Sequence, residues 1–154
     1  MFHLIEDNTY IREFLAAIIQ DCGSETMEFA SPVDYLNYID SGAYIKPTAV
    51  ITDVHMPNMS GYEMMGIVLE RFPDINFAVI SGEPTISSRN KGLACMYLAK
   101  PFHPEAIQEM LNKFSRCKVE GASTEIGCAS FGDREEFGVL DCVCPKLACM
   151  KSKH

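Results

Sequence analysis

The feature that most constrains this chain is a fivefold alternation of short apolar runs with segments of helical period. The apolar runs are Phe2-His3-Leu4-Ile5, residues 25–30, Thr48-Ala49-Val50-Ile51-Thr52-Asp53, Asn76-Phe77-Ala78-Val79-Ile80 and Met96-Tyr97-Leu98-Ala99. Strands alternating with helices of roughly 10–15 residues predict a parallel sheet with right-handed crossovers and helices on both faces. The run that ends in Asp53 is apolar and partly β-branched, as expected of a strand buried on both faces. The second run alternates polar and apolar residues, which places it nearer a sheet edge.

The helices between these runs carry local start and stop signals. Asn8 caps a helix with the apolar stripe Ile11, Leu15, Ile18, Ile19 and Cys22, and Gly23 stops it. Ser31-Pro32-Val33-Asp34 supplies a cap, a first-turn proline and an acidic third position, with Gly42 closing that helix. Ser60-Gly61-Tyr62-Glu63 has capping-box spacing and opens a helix with Met64, Ile67, Val68 and Phe72 inward, stopped by Pro73. Residues 84–92 make only a weak helix. Pro104 starts the last one, with Ile107, Met110, Leu111 and Phe114 inward and His103 where an Asp, Ser or Asn cap is usual.

After about Arg116 the character changes. Gly121-Ala122-Ser123-Thr124 looks like a linker, and beyond it no helical or strand period is visible. The expected organisation is one domain over 1–116 and a short irregular cysteine-containing tail over 117–154. At 154 residues the chain is long enough for one domain with a proper core. Its net charge of −8 argues against direct nucleic-acid binding, which calls for basic patches. No apolar run approaches the roughly 20 residues that span a bilayer, and no signal pattern opens the chain. No membrane association and a bacterial-type cytoplasm are the expectations. Seven cysteines, an odd number, fit reduced thiols better than a closed disulfide framework.

Polar groups stand at four strand ends: Glu6 and Asp7, Asp53, Ser81, and Lys100. In one parallel sheet these ends share an edge, where ligand chemistry collects. Carboxylates brought together there raise one another's pKa unless a cation joins them. Oxygen-only ligands favour Mg²⁺. A lysine and a hydroxyl facing the same spot match the oxygens of a phosphoryl group. The chemistry implied is metal-assisted phosphoryl transfer to a carboxylate. Taken singly, Glu6 and Asp7 could be a solvated pair, Ser81 a turn hydroxyl, Lys100 a surface lysine and Tyr97 a core aromatic. His55 reads as an exposed, idle side chain bordering the site.

Taken together, Glu6-Asp7-Asn8, Thr52-Asp53-Val54-His55-Met56-Pro57 with Gly61, Ser81-Gly82 and Lys100-Pro101-Phe102 resemble the receiver domain of two-component response regulators, of the stand-alone, chemotaxis type. The resemblance covers about residues 2–116 and implies a flavodoxin-like fold with strand order 2-1-3-4-5. It implies that Asp53 accepts phosphate from a sensor histidine kinase or phosphotransfer protein. Mg²⁺ would be bound by Asp7, Asp53 and the backbone carbonyl of His55, with Glu6 acting through water. Lys100 would pair with a phosphoryl oxygen and precede a cis proline. Ser81 would move to hydrogen-bond the phosphate, Tyr97 would turn inward with it, and a downstream protein would read the change. The stretch from Ser81 to Lys100 is a few residues shorter than the family pattern, which alters the face receivers use for output. Nothing after residue 116 resembles a helix-turn-helix or a catalytic output domain.

Two other classes stand beside this reading. An aspartyl-nucleophile phosphohydrolase would use the same Asp, lysine, hydroxyl and Mg²⁺, with His55 where a second Asp acts as acid and base. A metal- or redox-sensing protein would rest on Cys128, Cys142, Cys144 and Cys149. Four thiolates suffice for zinc or an iron–sulfur cluster, although the spacing matches neither a zinc ribbon nor a ferredoxin run. Cys22, Cys95 and Cys117 read as small core hydrophobes.

Overall fold

Each of the five apolar runs forms a strand in the computed structural model: β1 (Phe2–Ile5), β2 (Thr26–Phe29), β3 (Val50–Asp53), β4 (Phe77–Ser81) and β5 (Met96–Ala99). The structure describes residues 1–83, 90, 93–120 and 139–140. The five strands are parallel in the order β2-β1-β3-β4-β5. This is the flavodoxin-like arrangement, with β2 at one edge as its alternating pattern requires.

The helices are α1 (Thr9–Asp21), α2 (Pro32–Asp40), α3 (Gly61–Arg71) and α4 (Pro104–Glu120). Their starts follow the expected caps. The Asn8 side chain accepts from the N–H of Ile11, and Ser31 from that of Asp34. Both halves of the Ser60–Glu63 capping box are present. Such caps contribute about 1 kcal/mol each by satisfying N–H groups that a helix start leaves unpaired.

The sheet separates two apolar layers. Leu15, Ile18 and Ile19 of α1 pack with Ile107, Met110 and Phe114 of α4 on one face. Tyr35 of α2 and Met64, Met65 and Val68 of α3 fill the other. β3 and β4 are buried along their whole length because helices cover both faces.

Four readings need correction or a boundary. Cys22 is exposed, whereas Cys95 is buried as expected. The stripe breaks because Cys22 is the residue that caps α1, one beyond its last helical position, so the helical period no longer applies. In α3 it is Met65 that is fully buried, while Ile67 is half-buried. The last helix continues past Arg116 to Glu120, since Gly121 is the first breaker after Pro104. The tail is not wholly irregular: a two-residue strand, β6 (Val139–Leu140), pairs antiparallel with β5. A pairing so short has no period for sequence reading to detect. The weak helix apart from residue 90, the linker, the side chain of Cys117 and Cys128, Cys142, Cys144 and Cys149 lie outside the described residues.

Candidate functional site

Register decides which side chains meet. Ile5 pairs with Thr52, which brings Glu6 alongside Asp53 at the carboxyl end of the sheet. Asp53 pairs with Ile80 and Ser81 with Ala99, so Ser81 and Lys100 follow on the same edge. The N–H of Lys100 donates to the Ser81 carbonyl at 2.8 Å, and the Lys100–Pro101 peptide is cis.

The expected carboxylates do converge. Glu6, Asp7 and Asp53 each offer an oxygen, and these lie within 4.8 Å of one another. Their surroundings differ. Glu6 is 2% exposed and Asp53 7%, whereas neighbouring Asp7 is exposed. Lys100 lies between the two buried acids, its Nζ 3.0 Å from Asp53 Oδ2 and 3.2 Å from Glu6 Oε2. The remaining oxygens are held by main chain: the N–H of Val54 donates to Asp53 Oδ1 at 2.7 Å, and that of Asn8 to Glu6 Oε1 at 3.1 Å. Buried charges persist only when paired and hydrogen-bonded, and both conditions are met here.

The electrostatics follow from that arrangement. Burial pushes the Glu6 carboxyl above its ordinary value and the Asp53 charge adds to it, while the Asn8 N–H and Lys100 pull it back. For Lys100 burial works downward, but the bond and charge of Asp53, with Glu6 behind them, outweigh it. Its pKa is raised, so the lysine stays a cation. Three clustered carboxylates, one open to solvent, fit a hard divalent cation with oxygen ligands and waters.

The loop after β3 is fixed from below. The Gly61 N–H donates to the Val54 carbonyl at 2.9 Å. A Cβ on Gly61 would lie 2.1 Å from the Asp53 carbonyl oxygen, a distance that requires backbone to move. Glycine is therefore demanded by the close approach of α3 to the strand end.

Ser81 is 7% exposed, and its Oγ accepts from the Glu83 N–H at 3.0 Å. Tyr97 is 3% exposed, and its hydroxyl donates to the Asn90 carbonyl at 2.6 Å. His55 is exposed as expected but not idle: its Nε2 lies 2.9 Å from Glu83 Oε1. Glu83 escaped sequence reading. The signal was its spacing, two residues beyond Ser81 as His55 is two beyond Asp53, on adjacent strand-end loops. Arg12 was also missed. On the first turns of α1 it donates to the Glu6 carbonyl at 2.7 Å, with its Nε 3.7 Å from Glu28.

This fold and this pocket define a class, and comparison with known proteins agrees. The family model of the response regulator receiver domain matches residues 2–112. The chain belongs to that family. It is 28% identical over 95% of its length to the transcriptional regulatory protein FixJ of Azorhizobium caulinodans, of which the match covers 72%. It is 26% identical over 73% of its length to the chemotaxis protein CheY of Thermotoga maritima, covering 95% of that protein. Among solved structures, an uncharacterized protein from Neptuniibacter caesariensis superposes with a TM-score of 0.67 at 27% identity, covering 80% of this chain and 95% of that one. The response regulator TrrA of Thermotoga maritima, solved in complex with Mg²⁺-BeF, shares the fold, with a TM-score of 0.66 at 24% identity over 73% of this chain and 96% of its own.

The chain is thus a phosphoacceptor signalling module of two-component systems rather than an enzyme of the ordinary kind. Receivers of this family work with histidine kinases or phosphotransfer proteins and with downstream targets, and they bind Mg²⁺ at an acidic pocket such as the one formed by Glu6, Asp7 and Asp53. No helix among the described residues is long and apolar enough to cross a membrane.

Proposed function

We propose that Asp53 is the phosphoacceptor of a receiver that ends with α4 at Glu120, a little beyond the expected boundary at 116, and is followed by a linker and cysteine-containing segment. The observation that carries this is Lys100, whose ammonium touches Asp53 in a pocket that also holds Glu6 and Asp7. A carboxylate oxygen of Asp53 attacks phosphorus as the phosphorus–nitrogen bond of phosphohistidine breaks, and the leaving imidazole keeps the bond's electron pair and takes a proton. Lys100 turns from the Asp53 carboxylate to a phosphoryl oxygen and offsets its charge. Ser81 exchanges its bond from the Glu83 N–H for one to the phosphate. Asp7, Asp53 and the His55 carbonyl would hold Mg²⁺, with Glu6 acting through water. When bound, the ion would neutralise charge on the carboxylates and the phosphoryl oxygens.

Tyr97 is the switch residue in this reading. It stands three residues before Lys100 on β5, and its buried hydroxyl is anchored on the Asn90 carbonyl. Ser81 and Tyr97 lie on paired strands, so movement at one strand end reaches the other through the sheet. The protein acts in the cytoplasm through contacts with a cognate kinase and a downstream protein. Self-catalysed phosphorylation from small donors belongs to the same pocket, because the donor needs only the acceptor, Lys100 and the metal. The comparisons favour neither the phosphohydrolase nor the metal- and redox-sensing alternative.

Acetyl phosphate with Mg²⁺ tests the assignment. Intact-mass spectrometry should show one phosphoryl group on the wild type and none on Asp53→Asn. Undiminished labelling of Asp53→Asn would remove Asp53 as the acceptor.

A further inference from the structure

The two edges of the sheet are protected by different means. β2 is short, and the exposed carboxylates Glu25 and Glu28 stand on or beside it. Charges on an edge strand discourage pairing with other chains. β5, Met96-Tyr97-Leu98-Ala99, carries no charge, and Met96, Tyr97 and Leu98 are buried. Along its open side runs the chain's own β6, with Leu140 opposite Tyr97 and Val139 opposite Leu98.

That register has a consequence for the pocket. β6 pairs with the backbone of Tyr97 itself and of the residue beside it, and β5 ends one residue before Lys100. A strand flanked on both sides is held more rigidly than an edge strand, which frays. Holding β5 in place keeps the Lys100 ammonium aimed at Asp53 before any ligand arrives, and such pre-organisation strengthens binding.

We infer that β6 is an intramolecular edge cover for β5, occupying a strand-addition surface and coupling the segment beyond α4 to the pocket through Tyr97 and Lys100. The coupling half of this inference rests on the phosphoacceptor reading. The occupant is the chain's own Val139–Leu140 segment; once it is removed, a second copy pairs at the bared edge. Linkage makes the effect reciprocal: occupancy of the pocket tightens β6 on β5 as much as β6 tightens the pocket.

The test uses the full chain. Val139→Pro/Leu140→Pro removes backbone donors that a ladder needs, whereas Val139→Ile/Leu140→Ile keeps a strand-forming segment. Hydrogen–deuterium exchange at Tyr97 and Leu98 should quicken about tenfold in the proline variant and stay unchanged in the isoleucine variant, with β3 unaffected in both. The proline variant should also self-associate with rising concentration in sedimentation analysis, and its Kd for beryllofluoride with Mg²⁺ should rise about fivefold. If β3 loses protection as well, Val139→Gly/Leu140→Gly makes the same comparison with the backbone donors kept. Unchanged exchange at Tyr97 and Leu98 would overturn the edge cover. Absence of self-association would overturn the claim that β6 shields a strand-addition surface, and equal beryllofluoride affinity would overturn its coupling to the pocket. Failure of the wild type to bind beryllofluoride would instead count against the phosphoacceptor reading, leaving the exchange comparison to decide the cover by itself.

Discussion

The pocket at the strand ends and the cage around His3 are both buried, polar and built on or just after β1, yet they handle charge in opposite ways. Glu6 sits one residue beyond the strand with Lys100 and Asp53 as charged neighbours and Asp7 open to water. His3 sits inside the strand, fully buried, with the rings of Phe29, Tyr35, Tyr38 and Tyr44 centred 5.5 to 6.1 Å away. Its Nδ1 hydrogen-bonds with the Tyr35 hydroxyl at 3.1 Å, and its Nε2 has no partner among the described residues. Burial, with the nearby amino terminus, lowers its pKa to about 4. The pocket keeps ions by pairing them; the cage keeps a titratable ring by leaving it neutral. Polar burial alone therefore does not mark a site. Opposite charges with one member open to solvent do.

The largest expected effect comes from removing the pocket's cation. Lys100→Met should slow labelling by acetyl phosphate by roughly a hundredfold or more, the scale seen when one preorganised charge-stabilising donor is lost. It should also raise the Glu6 pKa further, because a downward influence on it is gone. Labelling at the wild-type rate would show that the lysine is only a counter-ion of the resting state. Gly61→Ala comes next. Its Cβ would collide with the Asp53 carbonyl, and overpacking against backbone should destabilise the fold by about 3 kcal/mol in urea unfolding, with labelling reduced too.

The cage gives a pH signature of similar size. The unfolded chain protonates His3 near 6.5, whereas the folded protein resists protonation down to about 4. The unfolded state binds the additional proton across that window. The contribution is therefore complete above 6.5 and declines as pH falls toward 4, by up to about 3 kcal/mol. His3→Phe should flatten this part of the stability profile measured by urea titration. An unaltered profile would mean that the ring is protonated in the folded state. The smallest effect belongs to the exposed His55–Glu83 pair. Glu83→Gln should change stability by less than about 0.5 kcal/mol, since surface pairs contribute little. A larger loss would make that pair part of the pocket's support.

How much the sequence revealed depended on how local each signal was. The strands and all four helix starts followed from residues within one turn or one run, as at Asn8, Ser31, the Ser60–Glu63 box and Pro104. The convergence of Glu6, Asp53, Ser81 and Lys100 was legible because parallel strands share an edge. Partners across that edge were not. Glu6 and Asp7 are adjacent carboxylates, and what separates them is the path of the chain: Glu6 directly follows β1, whereas Asp7 lies in the bend beyond it. The His55–Glu83 contact depends on the paths of two loops, and the cage around His3 on rings from β2, α2 and the stretch after it. Cys22 needed the exact end of α1, and β6 a pairing that leaves no pattern.

Lys100 also dates the moment at which the pocket comes into being. Its two ion-pair partners lie 94 and 47 positions earlier in the chain. Contacts so distant in sequence must bear the entropy of closing long loops, and they form only after the intervening elements have compacted. During synthesis Glu6 and Asp53 emerge well before the residue that neutralises them. A chain that has not yet laid β5 beside β4 has the acids without the lysine that pairs them, so competence to accept a phosphoryl group arrives with the docking of its last parallel strand.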